Sequence, residues 1–258
     1  MIESPSIATT EAEPSNRVHY GCLVPSSADY FTQLVLFPGN NAHKPWGENG
    51  NFTLQGHIYV RGKEIAAVAP QSCSEQGHLK LDFETPLKAA GKDVEGLCLL
   101  SLDSVGGIPV EIYLSHIHRK TGVYFAYPAL MYMGDTLYPR FHVAQLENSM
   151  FWPGFPSQED TEFRLAVLNP YKVPMSVDIS LWHNAEGRHS VGIKRISPHD
   201  HLFLSLDEIM PESWRQDGDG AASLGVTAQF KLLAYMMTVN RRTGIISSAD
   251  HLHPYQVL

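Results

Sequence analysis

Three pairs of histidines, each separated by one residue, are the residues of this chain with the clearest chemical potential. They read HIH at 116–118, HDH at 199–201 and HLH at 251–253, and the chain has 13 histidines in 258 residues. Residues i and i+2 of a strand share a face, so such a pair can hold one metal ion through two imidazole nitrogens. His116 and His118 form the best candidate, because their strand has the clearest pattern. A metal ion is therefore the one cofactor suggested, and hydrogen-bonded or surface histidines are the alternative reading.

Other catalytic patterns fit less well. Cupin enzymes follow such a pair with a glutamate four or five residues later, whereas Glu208 lies seven residues after His201 and nothing acidic closely follows His118. The chain contains no Gly-x-Ser-x-Gly motif and no glycine-rich loop that opens a helix to hold a phosphate. The sequence therefore leaves open whether any reaction is catalysed.

A second pattern is a phrase that occurs twice. "YLSHIHRKTG" and "YMMTVNRRTG" each place a tyrosine six residues before an arginine, as Tyr113 with Arg119 and Tyr235 with Arg241. Six is an even number, so tyrosine and arginine share one face of an extended strand. A guanidinium stacks on aromatic rings and grips carboxylates with two hydrogen bonds. We predict that these four residues form a contact between units or subunits, with ligand binding as the alternative.

The repeat extends beyond this phrase. "QLVLFPGN" at 33–40 matches "LAVLNPYK" at 165–172, and "HLKLDFETP" at 78–86 matches "HLFLSLDEIMP" at 201–211, in the same order along the chain. Tandem duplication of a unit of about 120 residues explains this order. Chance similarity between strand patterns is the alternative.

Each unit has the pattern of β-strands. In "MSVDISLW", Val177, Ile179 and Leu181 alternate with polar residues, and "HLFLSL" places Leu202, Leu204 and Leu206 on one face. We count about seven strands per unit, the number expected of a sandwich. The only helical signal in the second unit is one short turn before Pro211. Gly122 and Gly244 are predicted to supply the positive φ of the turns that end the repeated phrase.

These patterns predict an all-β chain of two tandem antiparallel β-sandwich units of the immunoglobulin-like type, related by internal duplication. We place the units at 17–138 and 139–258. Residues 1–16, rich in Ser, Thr, Pro and Glu, are expected to be a disordered acidic tail.

Composition excludes some partners. The net charge is −8 with few clustered basic residues, which argues against nucleic acid as a partner. No apolar stretch approaches the ~20 residues that span a membrane, and the N-terminus lacks the features of a signal peptide, so we expect a cytoplasmic protein without membrane insertion.

The second unit resembles the sensory rhodopsin transducer family of small bacterial β-sandwich proteins. The matching stretches are "FRLAVLNPYKVPMSVDISLWHNAEG", "VGIKRISPHDHLFLSLDEI" and "SLGVTAQFKLLAYMMTVNRR". The resemblance implies a cytoplasmic β-sandwich that acts through binding and self-association. It transfers neither a rhodopsin partner nor any site residue, and this chain departs from the family by carrying two copies.

Two functions follow as hypotheses. The first is a non-enzymatic binding or assembly protein, whose ligand is either a protein or a small molecule. The second is a small-molecule enzyme, with or without a metal ion, whose site lies in the cleft between the units. Fusing two copies halves the number of chains in a symmetric assembly, so a homodimer is the expected oligomer.

Overall fold

The protein is described here from a computed structural model. The described residues are 17–25, 29–37, 51–74, 81–82, 97–105, 111–132, 149–155, 160–216 and 222–254. The predicted acidic tail at 1–16 lies outside them. Within these ranges the chain is all-β, as the sequence predicts, and every strand pairing is antiparallel.

The strands fall into two successive groups, which we call the first half and the second half. The first half comprises β1 (Arg17–Pro25), β2 (Tyr30–Phe37), β3 (Asn51–Val60), β4 (Lys63–Ser74), β5 (Leu81–Asp82), β6 (Leu97–Val105), β7 (Glu111–His118), β8 (Tyr124–Pro128) and β9 (Leu130–Tyr132). The second half comprises β10 (Ser149–Phe155), β11 (Thr161–Asn169), β12 (Met175–His183), β13 (Gly187–Ile196), β14 (Asp200–Ser205), α1 (Leu206–Ile209), α2 (Glu212–Gln216), β15 (Ala222–Ala228), β16 (Leu233–Asn240), β17 (Ile246–His251) and β18 (His253–Pro254).

Each half contributes one five-stranded and one four-stranded sheet. The five-stranded sheets have the orders β4-β3-β6-β1-β9 and β13-β12-β15-β10-β18, and the four-stranded sheets have the orders β5-β2-β7-β8 and β14-β11-β16-β17. Adding nine to each strand number of the first half gives the order in the second half. The two halves therefore have the same strand order among their described residues.

Alternating side chains explain why these segments are strands with one inward face. In β12, Val177, Ile179 and Leu181 are fully buried, as their spacing predicts. Ser180 on the opposite face is also buried, because the Arg188 guanidinium covers it and donates hydrogen bonds to its hydroxyl from Nε at 3.0 Å and from Nη2 at 2.8 Å. Buried apolar residues from both halves join one hydrophobic core.

Two details differ from the sequence prediction. The described residues contain nine strands per half rather than about seven, because pieces of two or three residues such as β5, β9 and β18 are too short to leave a periodic signature. The short helix before Pro211 is confirmed as α1, but Leu206 begins that helix instead of extending the face that carries Leu202 and Leu204.

A buried asparagine fixes the turn after β11. The Asn169 side-chain nitrogen donates to the carbonyl oxygens of Val173 and Ser197, each at 2.8 Å, and its Oδ1 accepts from the backbone N–H of Tyr171 at 3.2 Å. Buried polar groups are stable when they are hydrogen-bonded in this way. The turn therefore ties the end of β11 to the segment that leads into β14.

The two halves are in direct contact. A Cβ atom added to Gly21 of β1 would lie 2.6 Å from Leu233 Cδ2 of β16 and 3.7 Å from Pro170 Cβ, so a larger residue here would require Leu233 to shift. At another point the rings of Tyr59 and His199 stack with their centroids 4.4 Å apart. Contacts between the halves thus include both apolar packing and ring stacking.

Both helices are short, and over the described ranges no helix is long and apolar enough to cross a membrane.

Candidate functional site

The repeated phrase forms the same backbone turn in both halves. In residues 118–123 and 240–245, the N–H of the first residue donates to the carbonyl of the sixth, at 2.8 Å and 2.9 Å respectively. The glycine N–H donates back to the first residue's carbonyl at 2.8 Å in each turn. Gly122 and Gly244 both have φ of +69°, which confirms the predicted need for a left-handed residue.

A side-chain acceptor closes each turn. The backbone N–H of Thr121 donates to His118 Nδ1 at 3.3 Å, and that of Thr243 donates to Asn240 Oδ1 at 3.0 Å. The threonine hydroxyls lie 2.8 Å and 3.1 Å from the same two atoms. His118 Nδ1 therefore takes the place of an asparagine oxygen. Accepting these bonds leaves the neutral ring's proton on Nε2.

This equivalence gives a test within the chain itself. We expect His118→Asn to retain the turn, because Asn240 already fills the corresponding place. His118→Ala removes the acceptor and should be less stable than His118→Asn by about 1 kcal/mol in the free energy of unfolding, measured with urea. Both variants lose the imidazole packing, so their difference isolates the acceptor. Equal stability of the two variants would show that Nδ1 does not have this role.

The backbone of each repeated arginine ties its turn to the start of a neighbouring strand. The Arg119 N–H donates to the Asp29 carbonyl at 2.7 Å, and the Arg241 N–H donates to the Asp160 carbonyl at 3.0 Å. Asp29 directly precedes β2, and Asp160 directly precedes β11. The recurrence of Arg119 and Arg241 thus includes a shared backbone role, which any non-proline residue could fill.

The arginine side chains differ between the halves. The Arg119 guanidinium lies over the Phe31 ring, 5.6 Å from its centroid. Arg241 forms an ion pair with Asp207 of α1, and the hydrogen bond to that carboxylate raises the pKa of Arg241. Each of these two contacts lies within one half, and the predicted contact between units or subunits stays a prediction.

The two predicted tyrosines converge on one residue. Tyr113 of β7 lies opposite Pro128 of β8 in the sheet ladder, and the buried Tyr235 hydroxyl donates to the Pro128 carbonyl at 2.8 Å. The Tyr235 ring also lies 4.9 Å from the ring of Tyr127. Tyr235 of the second half thus reaches into the first half, whereas Tyr113 remains half-buried.

Both histidines of the predicted metal pair use their Nδ1 atoms in other contacts. His116 is buried with Nδ1 2.8 Å from the Thr32 hydroxyl, and His118 Nδ1 accepts from Thr121. Burial lowers the pKa of His116 to about 3. Over the described residues, no group of three or more His, Cys, Asp or Glu side chains is placed to hold a metal ion.

A pocket of about 260 Å³ lies between the halves and next to both repeated turns. The first half contributes Asp29, Tyr30, Leu97 and His118; the second half contributes Arg164, Phe203, Val239, Thr243, Gly244, Ile245 and Ile246. His118 belongs to the first turn, and Thr243 to Ile245 belong to the second. The repeated phrase therefore builds two parts of one cavity wall.

Three polar side chains of this pocket have donor groups without a partner in the part of the chain that the structure describes. The Tyr30 hydroxyl accepts from the Ile246 N–H at 3.0 Å, and burial raises the pKa of Tyr30, so its own proton stays in place. The Arg164 guanidinium donates to Glu162 through Nη2 at 2.9 Å, while its buried Nε has no partner among the described residues. His118 carries the third donor, Nε2–H.

Comparison with known proteins gives no assignment. The chain matches no protein-family model and no curated protein sequence. The crystal structure of Thermotoga maritima 1070 is similar with a TM-score of 0.33 and 12% identity, covering 42% of this chain and 94% of that one. A calcium-binding mutant of Bacteroides uniformis β-glucuronidase 2 is similar with a TM-score of 0.23 and 10% identity, covering 96% of this chain. This chain spans 27% of the length of that enzyme. Likenesses of this size assign neither a family nor a function.

Tyr30 and Arg164 were not predicted as site residues. Tyr30 begins β2 and Arg164 lies within β11, so no local spacing connects them to each other or to His118. The pairing of β2 with β7 places Tyr30 opposite His118, and the contact between the halves adds Arg164 to the same pocket.

Proposed function

We propose that this chain is a non-enzymatic binding and assembly protein built from two fused β-sandwiches that arose by internal duplication. The observation that carries the proposal is the identical order of the nine strands that the structure describes in each half, together with the two matching turns. Two independent folds would have no reason to share both. The proposal includes the resemblance to the sensory rhodopsin transducer family and the cytoplasmic location that this resemblance implies.

The contact surface between the halves supports a role in association. Tyr235 places a buried ring and a directed hydrogen bond in the other half, and Gly21 allows the backbone to approach closely. Surfaces that pair two related units in this way also pair separate chains in symmetric oligomers. A fused pair retains other surfaces of each unit for further association.

We expect the protein to be a homodimer in solution, with twice the 28.7 kDa mass of one chain by light scattering. If Arg119 and Arg241 anchor that contact, the double variant Arg119→Ala with Arg241→Ala should shift the mass toward one chain and lower the melting temperature. A wild-type monomer would refute the dimer. An unchanged mass and melting temperature in the variant would show that both arginines act only in their turns and anchor no contact between units or subunits.

The second candidate function is a small-molecule enzyme, with or without a metal ion, that uses the pocket between the halves. The observation that favours it is the meeting of a phenol, an imidazole and a guanidinium at one cavity. Elemental analysis of the purified protein tests the metal-dependent form. A stoichiometric metal ion lost on replacing His116 and His118 would support it.

A further inference from the structure

We propose that the pocket between the two repeated turns binds a small monocarboxylate that has an apolar body. This ligand class deepens the binding role proposed above and rests on it. Donor groups, the local charge and the apolar wall of the pocket all favour such a ligand.

Three residues that line this pocket carry donors for which the described part of the chain provides no acceptor. The guanidinium of Arg164 has five N–H donors, and Glu162 occupies only its Nη2 among the described residues. The Nδ1 of His118 is used by its own turn, which leaves Nε2–H. Tyr30 accepts from a backbone N–H and so keeps its O–H for another oxygen. An excess of donors fits a ligand that is rich in acceptor oxygens.

The carboxylates near the pocket are already paired. Asp29, which lines the pocket, lies 3.4 Å from Lys120 Nζ. Burial raises the pKa of Glu162, but hydrogen bonds from Arg164 and Ser205 outweigh it, and the net pKa is lowered, so this carboxylate is ionised at neutral pH. Each acid therefore has a cation beside it. An incoming carboxylate would meet the remaining N–H groups of Arg164, which suit its planar pair of oxygens.

The rest of the wall is apolar. Phe203, Val239, Ile245 and Ile246 line it, and the Arg164 guanidinium lies over the Phe203 ring with 5.2 Å between its Cζ and the ring centroid. Stacking of this kind holds the guanidinium plane in place. The pocket, at about 260 Å³, is below the volume typical for drug-sized ligands, so the ligand should be small. A wall that combines these polar donors with apolar side chains fits one carboxylate on a short hydrocarbon or aromatic body.

Benzoate is the probe, and saturation-transfer NMR titration of the full chain is the measurement. We expect benzoate to bind in a saturable way, whereas benzyl alcohol, which keeps the ring but lacks the charge, should not. Arg164→Gln and His118→Asn should each weaken benzoate binding by about tenfold or more. His118→Asn is the sharper variant, because Asn240 shows that the turn accepts asparagine. Arg188→Gln, which removes an arginine outside the pocket, is the matched control and should bind as the wild type does.

Several results would overturn the ligand class. Equal binding of benzyl alcohol would mean that the apolar wall alone is responsible. Displacement of benzoate by equimolar inorganic phosphate would indicate a general oxyanion site. Absence of benzoate binding, or equal binding by the wild type, Arg164→Gln and His118→Asn, would refute the site itself. Light scattering without any ligand tests the assembly role separately. A dimer that does not bind benzoate would refute the carboxylate site and leave the assembly role in place.

Discussion

Replacing Tyr235 with alanine is expected to lower the free energy of unfolding by about 3–5 kcal/mol, the cost typical of truncating a large buried aromatic side chain. Tyr235 has no exposed surface, and its ring lies 4.9 Å from the ring of Tyr127 in the other half. Its hydroxyl donates to the Pro128 carbonyl at 2.8 Å. The alanine variant thus loses apolar packing and the hydrogen bond to the partly buried Pro128 carbonyl. Urea unfolding at neutral pH measures the change.

Two further variants separate the causes. Tyr235→Phe keeps the ring and removes only the hydroxyl, so it should cost about 1–2 kcal/mol. Tyr113→Ala removes the tyrosine at the corresponding place in the first half, where the side chain is half-buried, and should cost clearly less than Tyr235→Ala. If Tyr113→Ala and Tyr235→Ala are equally destabilising, the contacts of Tyr235 with the first half do not contribute the extra stability expected of them.

The tyrosine pair shows why the halves are not interchangeable. The repeated phrase places Tyr113 and Tyr235 at the same strand position, yet only Tyr235 is fully buried. Tyr235 donates to Pro128, the residue opposite Tyr113 in the ladder. One tyrosine thus contacts the other's ladder partner, and the two environments differ although the local sequence repeats.

Local patterns were sufficient to predict the longer strands and the turns that end the repeated phrase. The burial of Val177, Ile179 and Leu181 follows from alternation, and the positive φ of Gly122 and Gly244 follows from the glycine that ends each phrase. These features depend on residues near one another in sequence. They are therefore readable before the fold is known.

The pocket could not be predicted, because its parts are joined only by tertiary contacts. Tyr30, His118 and Arg164 lie on three strands of two sheets, and no spacing in the sequence marks them as neighbours. The role of His118 Nδ1 was hidden for another reason. In the sequence, His116 and His118 resemble a metal-binding pair. The turn hydrogen bonds show that His118 Nδ1 and Asn240 Oδ1 are equivalent acceptors.

Acidification is expected to destabilise this protein through His116. The side chain is fully buried, with its ring 4.8 Å from that of Phe125 and 5.1 Å from that of Tyr127, and burial lowers its pKa to about 3. In the unfolded chain the pKa is near 6.5. Between these values the unfolded state binds the proton and the folded state does not, so the free energy of unfolding falls as the pH falls. From pH 6.5 to pH 5 the loss should be about 1.6 kcal/mol, because the slope rises to its limit of about 1.4 kcal/mol per pH unit only once the unfolded-state histidine is fully protonated.

His116→Phe tests this, because phenylalanine keeps an aromatic ring beside Phe125 and Tyr127 but cannot take up a proton. Urea unfolding at pH 6.5 and pH 5 should show a smaller loss in this variant than in the wild type, by about 1.6 kcal/mol. Burial also lowers the pKa of His201, so some pH dependence remains in both proteins. Thr32→Val is the matched control, because it removes the hydroxyl 2.8 Å from His116 Nδ1 and leaves the imidazole in its apolar site. It should be less stable at both pH values yet keep the steep loss between them. Equal pH dependence in His116→Phe and the wild type would mean that the folded protein accommodates a charged His116, contrary to its buried position.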